Sequence, residues 1–225
     1  MWPSSGPAFA VALILAGIEW LAVARGWRRL EYVAKPATLV AVILAAWLLT
    51  RGPHDVWMAR FFLPGLVLSL VGDIFLLLPG GRFFMAGLVS FLLAHLCYIV
   101  GLNPTLPPWP ALAYLLVVGV IGLPLIRGIL SGLRRQNQTA LTIPMVIYGL
   151  ALSLMLVSAL ATLFRPEWTP FRRGMVIAGA SLFYASDTML AWNRCAAPLS
   201  QCRLWVMITY HLGQIGLAAS LWQNW

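Results

Sequence analysis

Charge is what this sequence has least of. Only 9% of its 225 residues are Asp, Glu, Lys or Arg, against about 25% in a water-soluble domain. Six acids serve the whole chain, and 61% of it is hydrophobic. Membrane spans are expected to take up most of this length, leaving no room within it for a separate soluble domain. Histidine is scarce too, three in all, and no His-x-x-x-His or Glu-x-x-His pair occurs, so the local spacing of a zinc hydrolase is missing. No serine-nucleophile motif or phosphate-cradling loop is present, and neither a metal nor a cofactor is assigned. Cysteine is limited to three residues. Cys97 lies in an apolar run, and Cys195 and Cys202 share a late connection without zinc-knuckle spacing, so they read as reduced thiols. The stretch Met1-Trp2-Pro3-Ser4-Ser5-Gly6 lacks the basic segment of a cleaved leader, so the run after it is expected to remain as a first membrane helix.

Apolar sequence is abundant, in lengths that cross a bilayer at about 20 residues each. Eight such runs predict an all-α, polytopic membrane bundle of eight transmembrane helices in a single integral membrane domain, 1–225. The approximate spans are 7–25, 32–50, 57–78, 83–102, 109–131, 139–164, 171–193 and 203–224. Connections are marked by Gly and Pro, as in Arg51-Gly52-Pro53 and Pro79-Gly80-Gly81. Trp57, Trp109, Trp168, Trp205, Trp222 and Trp225 fall near span ends, where interfacial aromatics belong. Pro36, Pro64, Pro124 and Pro144 fall inside spans and are expected to kink them. The formal net charge is +9, but the basic residues occupy short connections, where they meet anionic headgroups rather than nucleic acid. With the N-terminus outside, Arg25, Arg28, Arg29, Arg82, Arg127, Arg134, Arg135, Arg194 and Arg203 are cytoplasmic, and only Arg51, Arg60, Arg165, Arg172 and Arg173 are external. The positive-inside rule then places both termini outside, in a bacterial inner (cytoplasmic) membrane.

Against this background the polar residues inside spans stand out. Asp73, in Leu70-Val71-Gly72-Asp73-Ile74, and Asp187, in Tyr184-Ala185-Ser186-Asp187-Thr188, are carboxylates within membrane helices. Each costs roughly 2.5–3.5 kcal/mol on insertion scales, so it must face the bundle interior or a wet cavity. Glu19, Lys35, Tyr148 and Tyr210 reach a similar depth on four other helices, as a site entered from the cytoplasmic leaflet requires. Gly65, Ser69, Gly72 and Asp73 form one helical stripe; Ala180, Tyr184, Asp187 and Ala191 form another; Arg203, Tyr210 and Gln214 share a face. A weak repeat is visible: His95-Leu96-Cys97-Tyr98-Ile99 follows Asp73, and His211-Leu212-Gly213-Gln214-Ile215 follows Asp187. It raises the possibility of two parallel four-helix halves. Glu19 is expected to pair with Lys35 or to close a helix end, and His95 is expected outward of the acids in depth. A Lys35 that snorkels to the surface and a His95–Tyr98 helix contact are the alternatives to site roles, and His54 is expected in a solvated loop.

The combination Lys35-Pro36, Gly72-Asp73, Phe91 with His95 and Tyr98, Tyr148, Gly179-Ala180 with Phe183 and Ser186-Asp187, and Tyr210 with Gln214 resembles the YhhN-like lysoplasmalogenase family. The match runs from the second span to the eighth. Ala94, where a Gly usually precedes the His, and His211, where an aromatic usually follows the Tyr, depart from its pattern. The resemblance implies an eight-helix membrane enzyme with a lysophospholipid substrate. It would cleave the vinyl ether bond of lysoplasmalogens to a fatty aldehyde and glycerophosphoethanolamine or glycerophosphocholine. That chemistry needs a proton delivered to the carbon β to the ether oxygen, then water on the oxocarbenium ion. Burial favours a neutral carboxyl that can donate, and a second, ionised carboxylate can stabilise the cation. Asp73 and Asp187 are assigned these roles jointly, with Lys35 against the ionised acid or the phosphate, and Tyr148, Tyr210 and Gln214 holding glycerol or water. His95, Tyr98 and Glu19 complete the supporting set. The rival readings are a proton-coupled transporter using the same acids, a metal-dependent lipid hydrolase built on His95, His211 and an aspartate, and a purely structural protein.

Overall fold

The computed structural model describes residues 5–52 and 55–222 and forms eight α-helices. They are α1 (Gly6–Arg25), α2 (Arg28–Leu49), α3 (Val56–Leu77), α4 (Gly81–Leu102), α5 (Ala113–Arg135), α6 (Thr142–Ala161), α7 (Pro170–Cys195) and α8 (Cys202–Ala219). The expectations for His54 and Trp225 lie outside the described residues. Short 3₁₀ turns at Trp109–Leu112, Thr139–Leu141 and Thr162–Phe164 extend α5 and α6. Gly26, at φ 69°, ends α1 in the left-handed conformation glycine adopts without a Cβ penalty. The α1–α2 connection is therefore very short. Asp55 caps α3 by accepting from the Met58 N–H at 3.0 Å, and the Thr169 hydroxyl accepts from the Arg172 N–H to cap α7.

Pro36, Pro64 and Pro124 lie inside their helices. Pro144 does not: α6 begins at Thr142, so Pro144 falls in the first turn. There its missing N–H has no intrahelical partner to lose, and no kink is required. Among the described residues, seven helices are long and apolar enough to cross a membrane. The exception, α8, has 18 residues and carries Arg203, Thr209, Tyr210, His211 and Gln214. Most of that polarity is enclosed, because Tyr210, His211 and Gln214 are buried. Large apolar side chains cover the outside of the bundle, among them Val33, Leu116, Val120 and Ile143, each at least 65% exposed. In water such a surface would aggregate; against acyl chains it is matched.

The most extensive helix contacts are α3 against α4 and α7 against α8, made where side chains are smallest. A Cβ on Gly65 would come within 2.8 Å of the Tyr98 ring, and one on Gly72 within 2.7 Å of Phe91. At the second contact, a Cβ on Gly179 would lie 2.7 Å from the Leu217 nitrogen, backbone against backbone. Gly65, Ser69, Gly72 and Asp73 are all buried, so the small-residue stripe of α3 is its packing face.

At the far end of α3, Asp55 accepts from Arg172 at 2.7 Å, and Arg172 lies 3.6 Å over the Trp168 ring. Trp168 is thus a buried packing residue here rather than an exposed interfacial one, and Arg172 is engaged rather than free in a connection. Burial pushes the Asp55 carboxyl up, but hydrogen bonds from Arg172 and the Met58 N–H outweigh it and hold the group below its ordinary value of 3.8. A carboxyl depressed in the folded state stabilises above its unfolded value, and that stabilisation disappears as pH falls through the folded one. The unfolding temperature of detergent-solubilised protein is therefore expected to drop below pH 3.8, and Asp55→Asn to remove part of that acid limb. A variant with the full acid limb would remove Asp55 as its source.

Candidate active site

The residue before the α2 proline, Lys35, is buried, and its Nζ lies 3.1 Å from Asp73 Oδ1. Tyr210 of α8 donates its hydroxyl to the other Asp73 oxygen at 2.7 Å. Asp73 thus faces the interior with a cation and a phenol as partners. The snorkelling alternative for Lys35 does not hold, since only 4% of the residue is exposed.

A second group is built the same way. Tyr148 of α6 donates a hydrogen bond to Asp187 Oδ2. His95 Nε2 stands 3.7 Å from that oxygen, beyond hydrogen-bond length. His95 is therefore at the level of Asp187, not outward of it; counting residues along each helix separately does not fix the offset between two helices. The partners follow a pattern. Each aspartate, on α3 or α7, takes one partner from the preceding helix (Lys35 on α2, Tyr148 on α6). It takes the other from α8 (Tyr210, for Asp73) or from α4 (His95, for Asp187). The layout repeats while the chemistry differs: one acid meets a lysine, the other an imidazole.

Phe183 connects the groups. It packs edge-on against His95, with ring centroids 4.9 Å apart, and against Tyr210 at 5.5 Å. Phe91 stands against both Phe183 and Tyr210, in the space that Gly72 leaves open beside Asp73. Tyr98 donates to Gln214 Oε1 at 2.9 Å rather than bonding to His95, so these two tie α4 to α8 behind the acids.

Glu19 lies elsewhere than expected. Its carboxylate is 3.4 Å from His211 Nδ1, which also accepts from Trp20 Nε1 at 3.2 Å. Lys35 is committed to Asp73, and the His211 Nδ1 that accepts from Trp20 has no proton left to donate to Glu19, so the expected pairing of Glu19 with Lys35 is not made and His211 only lies against it. Glu31 was missed: it pairs with Arg203, joining α2 to α8. Its signal was its position in the first turn of α2, where an acid complements the helix dipole. Asp55 was also missed, although an aspartate just before an apolar run is a cap signature. The cysteines are free thiols. Among the described residues no three His, Cys, Asp or Glu side chains converge to hold a metal ion. His95 and His211 belong to different groups.

A cavity of about 370 Å³ lies between α5, α6 and α7. Its wall is largely aliphatic, with Tyr148, Ser153, Tyr184, Asp187 and Thr188 as polar features. A smaller one, about 30 Å³, lies between Phe84, Phe91, Met145 and Leu190 and touches the same Tyr148 and Asp187. Asp73 borders neither. The arrangement offers one carboxyl at the edge of an apolar space, and a second carboxylate held behind it by a lysine.

The model of the YhhN family matches residues 30–221. The chain is 38% identical over 161 residues to a Sus scrofa protein named lysoplasmalogenase TMEM86B, covering 71% of this chain and 62% of that one. The Mus musculus protein of the same name is 28% identical over 219 residues, covering 96% and 85%. A Mycobacterium bovis protein named lysoplasmalogenase is 32% identical over 171 residues, covering 74% and 56%. The match thus spans less than two thirds of the pig and mycobacterial proteins. No solved structure matches the chain.

Proposed function

From the premise that this integral membrane protein belongs to the YhhN family, we propose that it hydrolyses the vinyl ether bond of lysoplasmalogens by general acid catalysis inside the bundle. The observation that carries the reading is the unequal environment of the two acids. Asp73 has the Lys35 ammonium 3.1 Å away, a neighbour that favours the charged carboxylate. Asp187 has no lysine or arginine against it and borders the cavity, so it is the group able to present a proton to a lipid chain. Tyr148 fixes its rotamer.

In this mechanism the Asp187 carboxyl gives its proton to the vinyl carbon β to the ether oxygen, producing an oxocarbenium ion. The carboxylate left behind takes a proton from the water that attacks the carbon bonded to oxygen. The hemiacetal then breaks its carbon–oxygen bond, giving a fatty aldehyde and a glycerophospho-base, with the hydroxyl proton passing to the departing oxygen. Asp73, fixed by Lys35 and Tyr210, contributes negative potential to the cation across a low-dielectric interior, where such fields act strongly.

The same reading places both termini outside the cytoplasmic membrane. The arginine distribution supports this, and two of the five external arginines are occupied internally: Arg172 by Asp55, and Arg165 by the Leu102 carbonyl. Purified protein is expected to release aldehyde from a lysoplasmalogen and no fatty acid from an ester lysophospholipid of equal chain length. Fatty acid release, or no product from either, would reject the activity.

A further inference from the structure

The cavity beside Asp187 exists because α5 is fastened at one end and stands away at the other. Near its C-terminus, a Cβ on Gly128 would lie 2.5 Å from the Trp192 ring, and one on Gly132 would lie 1.9 Å from the Cys195 carbonyl oxygen. Gln136 Nε2 also donates to that carbonyl, at 3.1 Å. Toward the other end the backbones separate: at Gly122 only the Tyr184 hydroxyl reaches across from α7, 3.1 Å from where a Cβ would stand. A Cβ on Gly119 would meet nothing within 4 Å, although Gly119 borders the cavity. The helix is therefore held against α7 at its arginine-bearing end and diverges above it.

The space is open to lipid. Leu115 and Leu123 on α5 and Leu150 and Leu154 on α6 line it, and each is at least 44% exposed on the apolar outside of the bundle. Its volume falls in the range of small-molecule sites, about 300–1,000 Å³. Along α6 its lining runs from Met145 to Val157, and the stretch from Tyr148, beside Asp187, to Val157 measures about 14 Å at the helical rise. One leaflet of hydrocarbon is about 15 Å thick, half of about 30 Å. A largely apolar slot of that length, open sideways and carrying a carboxyl about one turn from its Met145 end, fits a single unbranched hydrocarbon chain with a reactive bond near its polar end.

We propose that the α5–α6–α7 cavity is the alkenyl-chain subsite, entered laterally from the bilayer, and that Gly119 and Gly149 keep its bore open and thereby set the chain length accepted. This rests on the vinyl ether reading for its substrate and adds where the chain lies. Gly149 faces Ile126 across the slot, where a Cβ would make an ordinary contact at 3.6 Å. A larger side chain there must project into the space the lipid needs. At Gly119 a larger side chain has open room.

The test compares wild type with Gly149→Leu and Gly119→Phe on long-chain and short-chain lysoplasmalogens. The ratio of long-chain to short-chain kcat/KM is expected to fall by about tenfold or more, since displacing even one methylene from an apolar pocket costs that much. If Gly149→Leu fails to fold, Gly119→Phe carries the comparison. A second readout does not need turnover: a lysophospholipid with a photoreactive group at its chain end is expected to label α5 and α6 near Val118 and Val157 in wild type. Labelling should weaken in the variants. Labelling there without aldehyde from any vinyl ether lipid would reject the activity and keep the slot. Aldehyde release with label elsewhere, or with an unchanged chain-length ratio, would reject the slot and keep the activity.

Discussion

Asp187→Asn is expected to reduce aldehyde release by about 10²–10⁴-fold, the usual contribution of a positioned general acid, while leaving the fold in place. The amide has the shape of the carboxyl and its oxygen still accepts from Tyr148, so the α6–α7 contact survives. What is lost is an acidic proton beside the cavity. Release should be measured with saturating lysoplasmalogen alongside the unfolding temperature of the same detergent sample. A comparable unfolding temperature with activity gone assigns the loss to chemistry. A variant within tenfold of wild type would show that the proton comes from elsewhere, and the unequal roles given to the two acids would fall.

Removing Lys35 should act first on stability. Lys35→Met leaves Asp73 buried at 1% exposure with only the Tyr210 hydroxyl against it. Breaking a buried ion pair from one side costs about 3–5 kcal/mol, because a charge remains without compensation. The double variant Lys35→Met/Asp73→Asn removes that charge and is expected to regain most of the loss, since replacing both partners of such a pair is often close to neutral. Activity should stay low in the double variant, because the negative potential at the oxocarbenium ion is gone. Unfolding temperatures of wild type, both single variants and the double variant give the coupling directly. A single Lys35→Met as stable as wild type would mean that the contact at 3.1 Å contributes no stability.

These expectations differ in how far the linear chain anticipates them. That Asp73 and Asp187 lie inside spans is visible from the apolar runs alone, and the cost of a lipid-facing carboxylate turns both inward. The stripe Gly65-Ser69-Gly72-Asp73 likewise marks the packing face of α3 before any helix is placed. Partners are a different matter. Lys35 and Glu19 reach similar depths, yet Lys35 goes to Asp73 and Glu19 to His211. Depth along an axis follows from residue number, whereas the direction a side chain takes around that axis depends on how its helix is rotated and tilted against neighbours.

In a soluble bundle the apolar stripe reveals that rotation, because the other face is polar. In a membrane both faces are apolar, so the pattern is muted and the neighbours choose. His95 illustrates the consequence: counting residues places it away from Asp187, and the packing of α4 brings it within 3.7 Å.

The sequence by itself determined a membrane bundle of eight helices, the inward turn of its two aspartates and the small residues through which α3 meets α4. Each of these is a local demand, set by solvation or by the room at one position. Only the tertiary structure decided which aspartate has the lysine, which borders an apolar cavity, and that α5 packs most tightly on α7 at Gly128 and Gly132. Those outcomes depend on how several helices fit together at once, and in a lipid solvent the outward faces give little instruction about that fit.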